Sequence, residues 1–224
     1  MLFGNGFDIV SVLYAAIPIL WALTVHEFAH AWMAHKCGDD TALYSGRVTL
    51  NPLAHLDPFG TLAFFLAGFG WAKPVPVNPY NFRNPKRDDN LVSLAGVSAN
   101  LISAIVFAVV LRVMLVTLDG VSTSPSIDRF INTLASVLLL SVYFNLVLMF
   151  FNLIPIPPLD GSHVLANMLP WNAREWYNMN IARNGPFILL ALIFLPRFFG
   201  FSILGPIIGG PVTFLAQVLT GFRF

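Results

Sequence analysis

The sequence predicts an all-α polytopic membrane protein of about five to six membrane segments, with a small β-hairpin or strand element after the first helix. Two observations carry that prediction. Of the 224 residues, 57% are hydrophobic and only 10% charged, with a mean hydropathy of +0.74, whereas soluble domains carry about 25% charged residues. In addition, several apolar runs approach or exceed the ~20 residues that cross a bilayer: Ile9 to Trp32, Leu91 to Leu118, Ile131 to Ile154, and the tail from Pro186 onward. The net charge of +1 is spread thinly except between Lys73 and Arg87, so there is no sign of a nucleic-acid partner. The lone Cys37 excludes an internal disulfide and a cysteine-built metal site. No Ser/Gly-rich linker or charged tail divides the chain, and residues 1-224 read as one domain. The first apolar run has neither a basic leader region nor a small-residue cleavage site, and it is expected to be retained.

Along the chain, Ile9 to His35 reads as the first membrane helix, stopped by a Gly/Asp break at Cys37-Gly-Asp-Asp. The next stretch, SGRVTLNP (45–52), alternates as a short strand does and ends at Asn51-Pro52. Phe59 to Trp71 is apolar but too short for a full crossing, which favours a re-entrant or interfacial segment. Prolines at 74, 76, 79 and 85 forbid a helix through the following segment. Because Pro74 and Pro76 lie two apart, their missing N–H groups fall on one edge of an extended chain. Val75 and Val77 keep theirs on the other, giving a strand able to pair on one side only. Asn90 to Leu118 and Ile131 to Ile154 read as two long helices joined by a polar loop (119–128). Ile154-Pro-Ile-Pro-Pro-Leu-Asp-Gly then breaks helical geometry where an apolar run ends. An amphipathic connection (Trp171 to Arg183) and two irregular membrane segments (about 185–220) complete the chain. The basic cluster Lys73, Arg83, Lys86 and Arg87 places its loop in the cytoplasm and the N-terminus outside, in a multi-pass cell-membrane topology.

Within the first helix, LTVHEFAHAWMAH (23–35) sets polar groups in an apolar run. His26 and His30, four residues apart, lie ~40° apart around the axis and ~6 Å along it, so both imidazoles can reach one ion. Glu27 lies ~100° round from His26, able to lean over that ion without ligating it. This is the H-E-x-x-H zinc pattern. Ionisable groups at membrane depth usually mark function. A catalytic zinc wants three protein ligands and an open position, and the candidates for the third are His35, His55, Asp57, Asp160 and His163. His55 and Asp57 sit in a polar turn where capping explains them. Asp160 is favoured, because prolines before it free local backbone and return a carboxylate to the membrane. His163 is a candidate partner for it.

The chain resembles the site-2 protease family of intramembrane zinc metalloproteases, in its short prokaryotic form without an appended regulatory domain. The likeness rests on five motifs in order: His26-Glu27-x-x-His30, NPLAHLDPFGT (51–61), AKPVPVN (72–78), Leu94-Ala-Gly-Val-Ser-Ala-Asn100, and FNLIPIPPLDG ending at Asp160-Gly161. It covers most of residues 20–165; the last sixty or so match no motif. The resemblance implies a three-helix catalytic core within about 9–165. It also implies one Zn²⁺ held by His26, His30 and Asp160, Glu27 as the catalytic carboxylate, and Gly96 and Asn100 facing the site. Asn100 would then touch the substrate backbone or the developing oxyanion, with an interhelical hydrogen bond as the alternative. Asn145 has the same two readings, and interhelical glue is favoured for it. The family commonly has Pro where this chain has Val97.

The implied activity is hydrolysis of peptide bonds within or near transmembrane helices of membrane-protein substrates. Counting from Ile9, His26 lies ~26 Å along a hydrocarbon core ~30 Å thick, near the cytoplasmic face where water is accessible. A substrate helix must unwind before attack, since its peptide bonds are buried in its own hydrogen bonds, and the one-sided strand at Val75 and Val77 offers a place to receive it. Two alternatives are a zinc transporter or zinc-binding membrane protein, and a proteolytically inactive scaffold. The first has no need of Glu27 and would offer a continuous polar path, whereas Phe187 to Leu195 is wholly apolar. The intact His26, Glu27, His30 and Asp160 argue against the second.

Overall fold

The computed structural model describes residues 9–67, 70–121, 124–200 and 202–222. Residues 1–8, expected outside the cell, and 122–123 of the polar loop lie outside the described residues. Helix α1 (Ile9–Cys37) is followed by the short α2 (Thr41–Tyr44), α3 (Pro58–Ala67) and the two long helices α4 (Pro85–Leu118) and α5 (Pro125–Asn152). Then come α6 (Asp160–Met168), α7 (Trp171–Tyr177) with a π-helical continuation at Asn178–Ala182, α8 (Gly185–Phe194), α9 (Pro196–Phe199) and α10 (Leu204–Thr220).

Both α4 and α5 are long and apolar enough to cross a membrane. Each starts about five residues before its apolar run, because a proline at the first helical position fits the turn without needing its N–H. At α4 the entry is reinforced reciprocally: the Asn84 side chain accepts from the Arg87 N–H, and the Asp88 carboxylate accepts from the Asn84 N–H, a capping box in form. Helix α1 stops at Gly38, whose φ of +106° suits glycine alone.

The centre of the fold is α1, α4 and α5, each packed on the other two, with α10 against α4 and α5 and with α6 against α4. Small or compact residues recur every fourth position on α4, at Gly96, Asn100, Ala104 and Ala108, all buried. Such a stripe lets helix backbones approach closely where no hydrophobic effect drives them together. Ala104 and Ala108 meet Val142, Leu146 and Met149 of α5 and Val212 and Ala216 of α10. The opposite face of α4 exposes Ile102, Val106, Val109, Val113 and Val116, the last to 77%. A ridge this apolar is solvated by lipid.

The expected strand or hairpin is not formed among the described residues; SGRVTLNP is a turn followed by bends. The reason lies in Arg47, which is buried and donates to the Lys73 and Pro74 carbonyls. A side chain thus occupies acceptors that a strand ladder would use. One antiparallel bridge, Leu56 to Ala72, with the Lys73 N–H on the His55 carbonyl at 2.8 Å, joins the two ends of the segment containing α3. At ten residues this helix is ~15 Å long, half the hydrocarbon thickness. The carbonyl of Trp71 comes so close to Gly60 that a Cβ there would sit 2.2 Å from it.

Candidate metal centre

His26 and His30 lie on the buried side of α1, 4% and 9% exposed, with ring planes nearly perpendicular at 86°. Their Nε2 atoms are 3.0 Å apart. Asp160, first residue of α6, brings its Oδ2 to 3.3 Å from the His26 Nε2 and 3.4 Å from the His30 Nε2. The three ligand atoms lie within 4.8 Å of one another.

The protonation of the rings follows from what stands behind them. Asn100 on α4 is fully buried, and its Nδ2 donates to the Ala22 carbonyl at 3.0 Å and to the Asn145 Oδ1 at 2.9 Å. A carbonyl can only accept, so Asn100 must turn its Oδ1 toward the His26 Nδ1, 2.7 Å away, and the His26 Nδ1 must carry the hydrogen. The His30 Nδ1 meets the Val92 carbonyl at 2.8 Å and must also be the N–H. In neutral rings both Nε2 atoms are then bare lone pairs, and they face each other and the Asp160 Oδ2. That oxygen is buried and finds no hydrogen-bond partner among the described residues. Three lone pairs converging with no hydrogen between them repel unless a cation sits among them. Two imidazole nitrogens and one carboxylate oxygen are a donor set suited to zinc, and N–H groups tied off behind the rings are the usual support of such ligands.

Packing leaves no freedom here. A Cβ on Gly96 would come within 2.5 Å of the His30 Nε2 and within 2.6 and 2.7 Å of His26 ring atoms, so the rings lie directly on the α4 backbone. Glu27 is half-buried on the next position of α1. On the other side, the Asp160 turn is held by the backbone: a Cβ on Gly161 would stand 2.2 Å from the Leu153 carbonyl, and one on Gly185 2.4 Å from the Pro157 carbonyl. The Tyr177 hydroxyl donates to the Pro155 carbonyl at 3.1 Å. Tyr177 and Gly185 went unnoticed in the sequence and Gly161 only closed a motif; the crowding of prolines was the one hint that residues 154–160 need outside support.

The remaining third-ligand candidates stand elsewhere. His35 pairs with Asp40 beyond the site. His55, fully buried, has its Nε2 on the Thr49 carbonyl, and Asp57 caps α3 by accepting from the Gly60 N–H. His163 turns to Asp89, not to Asp160, with Nδ1 3.4 Å from the Asp89 carboxylate, which holds the imidazole above its ordinary pKa despite partial burial. Asn145 links α5 to Asn100 and donates to the Ser141 carbonyl, so it stands two hydrogen bonds behind the His26 ring.

Comparison with known proteins gives the same picture. The model of peptidase family M50 matches residues 14–196. A Bacillus subtilis protein, "Putative zinc metalloprotease YwhC", is 41% identical over 81% of this chain and 80% of its own length. Two mycobacterial proteins named "Putative zinc metalloprotease Rip2" follow: 34% identity over 65% of the chain in Mycolicibacterium smegmatis, and 31% over 71% in Mycobacterium tuberculosis. The chain spans 53% and 61% of the length of those two. No solved structure matches.

Proposed function

The chain belongs to peptidase family M50, the site-2 protease family, and from that premise we propose that this membrane zinc metalloprotease cleaves peptide bonds within or near the transmembrane helices of other membrane proteins. The observation that carries this reading is the convergence of the His26 Nε2, His30 Nε2 and Asp160 Oδ2 between helices that face lipid. His26, His30 and Asp160 are the zinc ligands. Zinc, when bound, lowers the pKa of a coordinated water to about 7 and polarises a carbonyl. Glu27 is the proton carrier: it accepts the proton of the attacking water and returns it to the leaving amine. Gly96 seats both imidazoles. Both amide hydrogens of Asn100 are engaged inside the protein, so its role is to hold His26 in the Nδ1–H form and not to touch the substrate.

The expected topology of five to six membrane segments, with the site near the cytoplasmic face, finds support in the Leu56–Ala72 bridge. Two paired ends on one side of a bilayer favour a re-entrant α3 segment, with which the orientation drawn from the basic loop keeps its parity. The Val75 and Val77 N–H groups have no acceptor among the described residues, which favours addition of an unwound substrate strand there. Val75→Pro is then expected to reduce cleavage with zinc still bound, and unchanged cleavage removes the strand-addition idea.

The test of the function incubates purified protein with a panel of single-span membrane proteins in detergent, comparing native chain with Glu27→Gln. Cleavage by the native protein alone is the expected result. Equal cleavage by both, or none by either while both carry stoichiometric zinc, overturns the assignment.

A further inference from the structure

One to two turns further along the α1–α4 contact from His30, past the Val92 carbonyl that holds its ring, lies a second feature. A cavity of about 230 Å³ opens between the end of α1 and the start of α4, lined among others by Met33, Lys36, Arg83, Arg87, Asp88 and Leu91. The Arg83 N–H donates to the Cys37 carbonyl, which fixes the mouth of α4 against α1. Lys36, Arg83 and Arg87 are exposed, and none pairs with a carboxylate among the described residues. The one acid in the lining, Asp88, is buried and already accepts the Asn84 N–H. Three cations therefore surround a cavity with one engaged carboxylate.

Height in the membrane decides what such a cavity meets. Leu91 opens the apolar part of α4, four residues beyond Arg87, and Met33 stands one turn before Cys37 on α1. The cavity thus spans the change from basic loop to apolar helix. Trp32, 42% exposed, carries the Lys36 ammonium 5.5 Å over its ring, and exposed Trp at such a level marks the interface between lipid and water. Basic pockets between membrane helices at the cytoplasmic face are suited to anionic headgroups.

We infer that this cavity binds the phosphodiester headgroup of an anionic phospholipid, with Lys36, Arg83 and Arg87 on the phosphate and Met33 and Leu91 against the upper acyl chain. Free phosphate shares the anion chemistry but has no use for the apolar part of the lining, and on that ground the lipid is the occupant.

The experiment uses the full chain purified in detergent with native mass spectrometry as the readout, supplying phosphatidylglycerol, phosphatidylcholine of the same acyl chains, or inorganic phosphate. Phosphatidylglycerol is expected to be retained in preference to phosphatidylcholine. Retention should weaken by roughly tenfold or more in Lys36→Gln/Arg83→Gln/Arg87→Gln and stay unchanged in Arg129→Gln, a cation at the start of α5. Zinc content equal to native shows that the triple variant is folded. Equal retention of the two lipids, retention by a zinc-loaded triple variant as by native, or displacement of the lipid by inorganic phosphate at equal concentration overturns the inference. A triple variant that loses zinc is replaced by the three single variants, of which at least two must show weaker retention.

Discussion

Asp39 and Asp160 are two carboxylates withdrawn from water beside helix ends, and they have opposite hydrogen-bond environments. Asp39, fully buried, accepts four hydrogen bonds: Oδ1 from the Thr41 N–H, the Thr41 hydroxyl and the Asn81 amide, and Oδ2 from the Asn78 N–H. Asp160 has an equally buried Oδ2 with no donor among the described residues, facing two imidazole lone pairs. A buried carboxylate that is fully satisfied by protein donors is part of the architecture. One that is held bare by the surrounding backbone is a ligand waiting for a cation, because leaving a buried charged oxygen unpaired costs several kcal/mol.

The strongest way to break this comparison is to remove what faces Asp160. Gly96→Ala places a methyl within 2.5–2.7 Å of both imidazoles, so neither Nε2 can stay where it is. Zinc content by elemental analysis and cleavage should both fall to background, while Gly209→Ala on α10, where a Cβ meets nothing within 4 Å, should leave them unchanged. Asp160→Asn comes next. It keeps shape but replaces an anionic donor by a neutral one, and zinc affinity should drop by more than the ~10–100-fold typical of residues behind a ligand. If Asp160→Asn binds zinc as the native chain does, the bare oxygen has another explanation.

How much of this was legible beforehand differs by residue. His26, Glu27 and His30 share one helix, and a period of 3.6 residues places them without knowledge of the rest. Asp160 was favoured because prolines mark a broken helix, but what holds its turn, Gly161 on the Leu153 carbonyl and Gly185 on the Pro157 carbonyl, depends on contacts that no local pattern encodes. Asn100 had two readings in the sequence, contact with substrate or an interhelical hydrogen bond. One polar residue on a helix can face substrate or a ligand, and only the Ala22 and Asn145 acceptors decide which. SGRVTLNP alternates like a strand, yet Arg47 is buried on the carbonyls of 73 and 74, an interaction across about twenty-five residues that overrides local propensity.

A smaller effect sharpens the contrast between a ligand and its support. Asn100→Leu keeps the volume and removes the acceptor behind His26, freeing the ring to adopt the other tautomer. Zinc affinity should fall ~10–100-fold, with the ion still bound at high zinc. Asn145→Leu, one hydrogen bond further back, should cost under ~10-fold by the same scale. Competitive titration with a chelator measures both. A larger loss for Asn145→Leu than for Asn100→Leu would reverse the order of the chain of contacts.

The smallest effect belongs to Asp39, and here pH is the probe. Burial alone pushes its pKa up, but the hydrogen bonds from Thr41, Asn78 and Asn81 outweigh it and hold the carboxyl below its ordinary value. A carboxyl with a lowered folded pKa stabilises the structure at pH above the ordinary value of about 4, and that contribution disappears as pH falls through the lowered value. Hydrogen exchange at the Asn78 amide, which donates to Asp39 at 2.7 Å, should therefore stay protected through neutral and mildly acidic pH and lose extra protection only below about 4. In Asp39→Asn that acid step should vanish, with zinc still bound, because this carboxylate anchors the segment leading from Val75 and Val77 and has no part in the metal centre. Loss of zinc in Asp39→Asn would show that the satisfied carboxylate and the bare one are coupled.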